Sequence, residues 1–166
     1  MFKPQKSKIY SLSPQEQSEL DTFLEENLAT GRICPFKSPQ AAPFFFASKM
    51  PEANAPGQDP GLRPIQDYRY LNAHTICDQY PLPLLSEILQ NPKFQTAKYF
   101  TVIDIQWGFD NIWIKEVDEW KAAFITNWGI YEPTVMFFGL SNAPPSFQRM
   151  MDICFCEHLN SGCIFI

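Results

Sequence analysis

Apolar positions along the chain switch between two periods, and the switches mark its elements. Near the start, Leu20, Phe23, Leu24 and Leu28 recur at the three- and four-residue spacing of one helix face. Ser13-Pro14-Gln15-Glu16 precedes that face as a capping box, with serine as N-cap, and Gly31 is a natural stop. An amphipathic helix is predicted there, with packing as its role. Residues 35–43 read as a proline- and serine-containing connector, and Phe44-Phe45-Phe46-Ala47 as an apolar strand. A second strand, 62–68, returns from it. The pair predicts a hairpin with a long tip, 50–61, which holds three prolines and two glycines.

Further along, Pro81-Leu82-Pro83-Leu84-Leu85-Ser86-Glu87-Ile88-Leu89 opens a short helix that stops before Pro92. Residues 100–105 are β-branched or aromatic up to Asp104 and predict a short buried strand. Alternation puts Phe100, Val102 and Asp104 on one face, with Thr101, Ile103 and Ile105 on the other. Strands at 112–115 and 120–126 follow, then a turn at Asn127-Trp128-Gly129 leading into 130–132. Pro144 starts a helix in which Phe147, Met150, Met151, Cys154, Phe155 and His158 share a face, closed by Gly162. Cys163-Ile164-Phe165-Ile166 is an apolar strand with no turn behind it, the pattern expected of a chain cut in mid-fold. Strands and helices mix without a regular βαβ rhythm, so the fold class expected is α+β.

Composition narrows the classes. With 166 residues, 45% of them hydrophobic, the chain can bury one core, as a domain or part of a larger one. Thirteen basic against eighteen acidic residues leave a net charge of −5, which argues against a free-standing nucleic-acid binder but not against a local basic groove. The five cysteines lack Cys-x-x-Cys spacing and fit reduced thiols better than a disulfide frame or a zinc site. No signal peptide or apolar run of membrane-spanning length is visible. A soluble intracellular protein, cytoplasmic or nuclear and without a membrane partner, is the expectation.

Residue chemistry alone reaches a short distance. Asp104 ends its strand either as a metal-facing carboxylate or as a cap for the next helix, and the stretch by itself favours the cap. Asp110 falls in a helical turn and is expected in solvent; Glu116, Asp118 and Glu119 read as an acidic surface turn. Arg63 and Arg69 flank Asp67, where a salt bridge is the default and phosphate binding the sharper alternative. His74 and His158 stand apart from other ligands and read as structural. No Ser/His/Asp or Cys/His set and no glycine-rich phosphate loop is present.

The order of the segments carries more. It runs Leu62-Arg63-Pro64-Ile65-Gln66-Asp67-Tyr68-Arg69-Tyr70-Leu71-Asn72, then Tyr80-Pro81-Leu82-Pro83, then Phe100-Thr101-Val102-Ile103-Asp104. Trp120-Lys121-Ala122-Ala123-Phe124, Glu132-Pro133-Thr134-Val135-Met136-Phe137-Phe138-Gly139-Leu140-Ser141-Asn142-Ala143-Pro144 and Phe147-Gln148 complete it. This order closely resembles the reverse transcriptase of Ty3/gypsy-type LTR retrotransposons, over nearly the whole chain. The resemblance implies the fingers (about 1–98) and the first part of the palm (about 99–166) of a right-hand polymerase. The palm sheet would be incomplete, because the family's Tyr-x-Asp-Asp motif should follow Ile166.

The implied reaction is RNA-directed DNA polymerisation, in which a primer 3′-hydroxyl attacks the α-phosphate of a deoxynucleotide with two Mg²⁺ ions assisting. By the same resemblance Asp104 is the first metal ligand, with the Ile105 carbonyl beside it. Phe109 lies under the sugar and excludes a 2′-hydroxyl. Arg63 lies over the incoming base and its phosphates, and Lys49 is a candidate for the triphosphate tail. Phe138 and Gly139 line the nucleotide pocket; Pro144 and Gln148 lie where the template is held. The implied partners are an RNA or DNA template–primer, deoxynucleotides and the rest of a polyprotein, its thumb, RNase H and integrase. The sequence departs from the family at 50–61, where a short Lys-Lys-Asp-Gly hairpin is usual, and at Gln106, Trp113, Ile125 and Trp128, where relatives carry arginine. Two readings stay open: a polymerase segment active within a longer polyprotein, and a truncated, catalytically dead remnant with residual nucleic-acid binding.

Overall fold

The computed structural model describes residues 3–5, 7–48 and 61–161. The first helix, α1 (Pro14–Ala29), starts as its sequence dictates. Glu16 N–H donates to Ser13 Oγ at 3.3 Å and Ser13 N–H donates to the Glu16 carboxylate at 2.7 Å, so two otherwise unpaired amides are satisfied. Past the C-cap Thr30, Gly31 takes φ 71°, a left-handed turn that glycine adopts without strain, and the chain leaves the helix axis. Ser13→Ala is expected to lower unfolding stability by about 1 kcal/mol, with Ser13→Asp restoring most of it, measured as denaturant midpoints.

Among the described residues five strands form one sheet: β1 (Ile33–Pro35), β2 (Ala42–Ser48), β3 (Leu62–Gln66), β4 (Phe124–Thr126) and β5 (Gly129–Pro133). Their order is β1-β5-β4-β2-β3, with β2 and β4 parallel and the other pairs antiparallel. The hairpin arms read from the sequence are β2 and β3, in register from Phe44↔Gln66 to Ser48↔Leu62. Its tip and Lys49 lie outside the described residues, as do Gly162 and the strand expected at 163–166. The remaining helices are short: α2 (Arg69–Asn72), α3 (Leu85–Gln90), α4 (Pro92–Thr96), α5 (Ala143–Cys154) and α6 (Cys156–Asn160). The mix is α+β, as expected.

The core lies between α1 and the sheet. Leu20 and Leu24 from α1 meet Ile33, Ala42, Phe44, Tyr68, Ala122, Phe124 and Phe137. Phe124 is its centre, with ring centroids 5.7 Å from Phe44, 5.8 Å from Tyr131 and 6.4 Å from both Phe23 and Phe137. Tyr68 is buried among them, and its hydroxyl donates to the Ala122 carbonyl at 2.9 Å. Burial pushes that phenol upward, so the hydroxyl stays protonated as a donor.

Several expectations change. Residues 100–105 are neither a strand nor buried: the segment has no regular structure, with Tyr99 and Val102 each 92% exposed and Ile103 81% exposed. A strand needs a neighbour to take its backbone bonds, and no described strand runs beside this one. Residues 112–115 contribute only a single bridge, Trp113↔Val135. The stretch expected as strand 120–126 divides, because Glu116–Ala122 closes local three-residue turns as a 3-10 helix and only Phe124–Thr126 enters the sheet. Strand β1 falls where a connector was expected to begin; three residues are too few to show a period. The helix after Pro144 breaks at Phe155, which leaves helical backbone at φ −113°, ψ 19°.

Candidate functional site

A cleft of about 990 Å³ opens where the exposed segment 99–105 passes α4, α5 and the 3-10 turn Phe109–Asn111. Asp104, Ile105, Phe109 and Phe138 all line it, together with Gly108, Phe147, Met151 and Lys93. Four of the residues singled out from the sequence therefore line one cleft. Phe109 is the hub: its ring meets Phe138 edge-on at 4.9 Å and Phe147 edge-on at 5.8 Å. Asp104 stands exposed on the rim.

Gly139 follows Phe138 at φ 96°, the left-handed region that makes glycine the fitting residue for this turn. Asn72 pins the same turn from α2, its amide donating to the Gly139 carbonyl at 2.8 Å and accepting from Ser141 N–H at 3.0 Å. Sequence reasoning gave Asn72 no role; both its bonds are long-range, and nothing near it in the chain signals them.

The other candidates lie apart from the cleft lining. Arg63 is exposed on β3, opposite Ala47, and forms no salt bridge among the described residues. Asp67 instead pairs with Arg69, at 2.5 Å, which holds the Asp67 carboxyl below its ordinary value chiefly through that hydrogen bond. Pro144 is exposed in the first turn of α5. Gln148 is buried one turn on, its amide donating to Asp152 Oδ1 at 2.8 Å, while Tyr80 donates to Asp152 Oδ2 at 2.7 Å. Arg149 completes this corner with a bidentate contact to Asp78 at 2.7 and 2.8 Å and lies 4.8 Å over the Tyr80 ring.

Asp110 corrects a solvent expectation. It is only 7% exposed, and Arg32 from the α1–β1 link lies 3.7 Å from its carboxylate. Burial raises the Asp110 carboxyl and the Arg32 guanidinium draws it part of the way back. The physical reason is the direction of the 3-10 turn, which aims Phe109 into the cleft and the next side chain into the body of the protein.

Among the described residues no three His, Cys, Asp or Glu side chains are grouped to hold a metal ion. No described helix is long and apolar enough to cross a membrane.

Residues 55–166 match the family model for reverse transcriptase (RNA-dependent DNA polymerase). The chain is 38% identical over 157 residues to the Pol polyprotein of transposon opus of Drosophila melanogaster, which covers 95% of this chain and 15% of that protein. It is 36% identical over 140 residues to the Pol polyprotein of transposon gypsy of the same organism, covering 84% of this chain and 13% of the relative. The Tf2-3 polyprotein of Schizosaccharomyces pombe is 32% identical over 143 residues, covering 86% and 10%. The chain thus spans a small part of the curated relatives it matches. In fold it is similar to native prototype foamy virus protease-reverse transcriptase, with TM-score 0.77, 22% identity, and 95% of this chain and 20% of the other covered. It is also similar to the foamy viral enzyme solved with an RNA/DNA hybrid, with TM-score 0.72, 18% identity, and 93% and 19% covered.

Proposed function

Because the chain belongs to the reverse transcriptase family, in its Ty3/gypsy retrotransposon branch, we propose that it is the fingers and first palm part of an RNA-directed DNA polymerase. Residues 1–98 are mostly fingers and 99–166 mostly palm. The observation that carries the reading is the cleft, whose lining includes Asp104, Ile105, Phe109 and Phe138 although they come from two separate stretches of sequence.

In this reading the chain's own residues bind and orient. Phe109, braced by Phe138 and Phe147, presents a flat apolar surface to a sugar, where an added 2′-hydroxyl would meet carbon and lose its hydration. Gly139 is not itself in the cleft lining; its left-handed turn, tied by Asn72 through the Gly139 carbonyl, sets the backbone that carries Phe138 towards the nucleotide. Arg63, exposed on the hairpin, is free to meet base and phosphate with its planar guanidinium. Pro144 marks the template side; Gln148 reaches a template only by leaving Asp152.

Polymerases of this kind draw on paired divalent cations held by carboxylates. The described residues do not fit such a site: Asp104 is a lone exposed carboxylate, with no second and third ligand grouped beside it. That observation favours a second reading, in which these residues keep template–primer binding without turnover.

One assay separates the readings. The purified chain is titrated with an RNA template annealed to a DNA primer across salt concentrations, then given deoxynucleotides with Mg²⁺ or Mn²⁺. Binding that weakens as salt rises is expected, and Asp104→Asn should leave it intact. Template-dependent incorporation lost in Asp104→Asn would establish polymerase activity in this chain; binding without incorporation supports the remnant reading. Absence of salt-dependent binding would sink both.

A further inference from the structure

We infer that Arg32 and Asp110 are a positioning pair that fixes the Phe109 ring in the cleft wall and, through it, sets discrimination between deoxynucleotide and ribonucleotide. The inference rests on the nucleotide reading above.

The turn that carries Phe109 is gripped from two sides. On the cleft side Gly108 lies so close to Phe147 that an added Cβ would come within 2.9 Å of Phe147 Cε2. On the body side the buried Asp110 carboxylate faces Arg32 Nη1 at 3.7 Å, and the guanidinium lies 5.5 Å from the centre of the Trp107 ring. Between them Trp107 takes φ 56°, a left-handed conformation that a bulky side chain holds only where its surroundings impose it. Asn111 closes the turn, its amide donating to the Trp107 carbonyl at 3.0 Å.

Arg32, and the segment that begins two residues after Asp110, are tied to one stretch of backbone beyond β5. Thr134 N–H donates to the Arg32 carbonyl at 2.9 Å, and its hydroxyl donates to the Gly31 carbonyl at 2.8 Å. From the other side Ile114 N–H donates to the Thr134 carbonyl at 2.8 Å and Met136 N–H to the Ile112 carbonyl at 2.9 Å. Arg32 and Asp110 are thus held against a common reference, although they lie far apart in sequence. The pair is buried at its Asp110 end and half-buried at Arg32, so desolvation offsets much of its attraction and its net stabilisation is small; registry is the best-attested use of such a pair. Here the register belongs to the residue next door, Phe109, whose ring meets two other rings edge-on among the described residues.

The test uses the 166-residue chain on an oligo(rU) template with a DNA primer, with Mg²⁺ in the buffer. Affinities for dATP and ATP are read by competition with a fluorescent deoxynucleotide. Asp110→Asn and Arg32→Met are each expected to narrow the dATP/ATP preference by about tenfold, because a displaced ring no longer meets the 2′-hydroxyl. Arg32→Lys, which keeps the charge, should retain most of the preference. In a Phe109→Ala background Asp110→Asn should change nothing further, a result that a merely structural role would not give. Should Asp110→Asn fail to fold by circular dichroism, the two Arg32 variants carry the test. An unchanged preference in Asp110→Asn and Arg32→Met, while Phe109→Ala relaxes it, overturns the pair's role and leaves the nucleotide reading standing. A further narrowing on top of Phe109→Ala, or a parent that binds dATP and ATP equally, overturns it too. A parent that binds neither nucleotide overturns the nucleotide reading itself, and this inference with it.

Discussion

Phe124→Ala is expected to destabilise the protein by about 3–5 kcal/mol, the range seen when a large buried aromatic is truncated. Phe124 is 0% exposed and touches every layer of the core: Phe23 from α1, Phe44 from β2, Tyr131 from β5 and Phe137 beyond it. It also stands at the parallel junction, opposite Ala42, where two distant parts of the chain join in one sheet. The surrounding rings are anchored by separate elements and cannot collapse together into the space, so a cavity would remain. Since a domain's whole stability is only about 5–15 kcal/mol, the variant should be partly unfolded at ambient temperature. Phe124→Leu, which keeps most of the volume, should cost less than about 1.5 kcal/mol. Denaturant melts followed by tryptophan fluorescence distinguish the cases; equal midpoints for parent and alanine variant would remove Phe124 from the centre of the core.

That junction also shows where the sequence stops being legible. The helix α1 was readable because its capping box and its apolar spacing are both local, and the β2–β3 and β4–β5 pairs because a strand and its return are neighbours in sequence. The Ala42↔Phe124 pairing is not local, and no periodicity encodes which strand lies beside which. Residues 100–105 illustrate the opposite failure. Their alternation is that of a strand, but ladder bonds are a property of two segments, and among the described residues none is alongside.

The candidate site was legible in a different way. Asp104 alone favoured a helix cap; only the order of six motifs brought Ile105, Phe109 and Phe138 to its side, and all four line one cleft. Side-chain partners across the fold left no such trace. Arg32 lies between α1 and β1, where nothing in the sequence singles it out, and Asp110 follows a glycine-phenylalanine pair, where a solvated carboxylate is the ordinary expectation. Neither is informative until the 3-10 turn aims them at each other. Arg63 shows the converse: its motif is clear, yet it lies on the hairpin away from the cleft lining.

Glu132→Met is expected to stabilise the protein by about 1–3 kcal/mol at mildly alkaline pH, the scale of a buried polar group left without partners. Glu132 is 5% exposed in β5, and its Oε1 has no hydrogen-bond partner among the described residues. Its cross-strand neighbour is Cys34, which offers no cation, and the nearby Glu119 is of like charge. Burial, and then Glu119, raise the Glu132 carboxyl above its ordinary 4.5; the same burial and the two carboxylates raise the Cys34 thiol, so neither group relieves the other. The sign of the pH dependence follows. A carboxyl raised in the folded state binds its proton more tightly there than in the unfolded chain, so its contribution to stability is fully present below the unfolded value and is lost as pH rises through the folded one. The parent should therefore fall behind Glu132→Met progressively as pH rises past the ordinary carboxyl value of 4.5 and through the raised folded one, and the gap should close on acidification. Asp110 and Glu119 are also raised by burial, so the parent's own curve mixes several groups; the difference between parent and variant isolates Glu132. Thermal melts at a series of pH values measure it, at about 2–4 °C per kcal/mol for a chain of this size. A difference that stays constant with pH would mean that the Glu132 carboxyl binds its proton equally well in the folded and unfolded chain, and would overturn the burial argument.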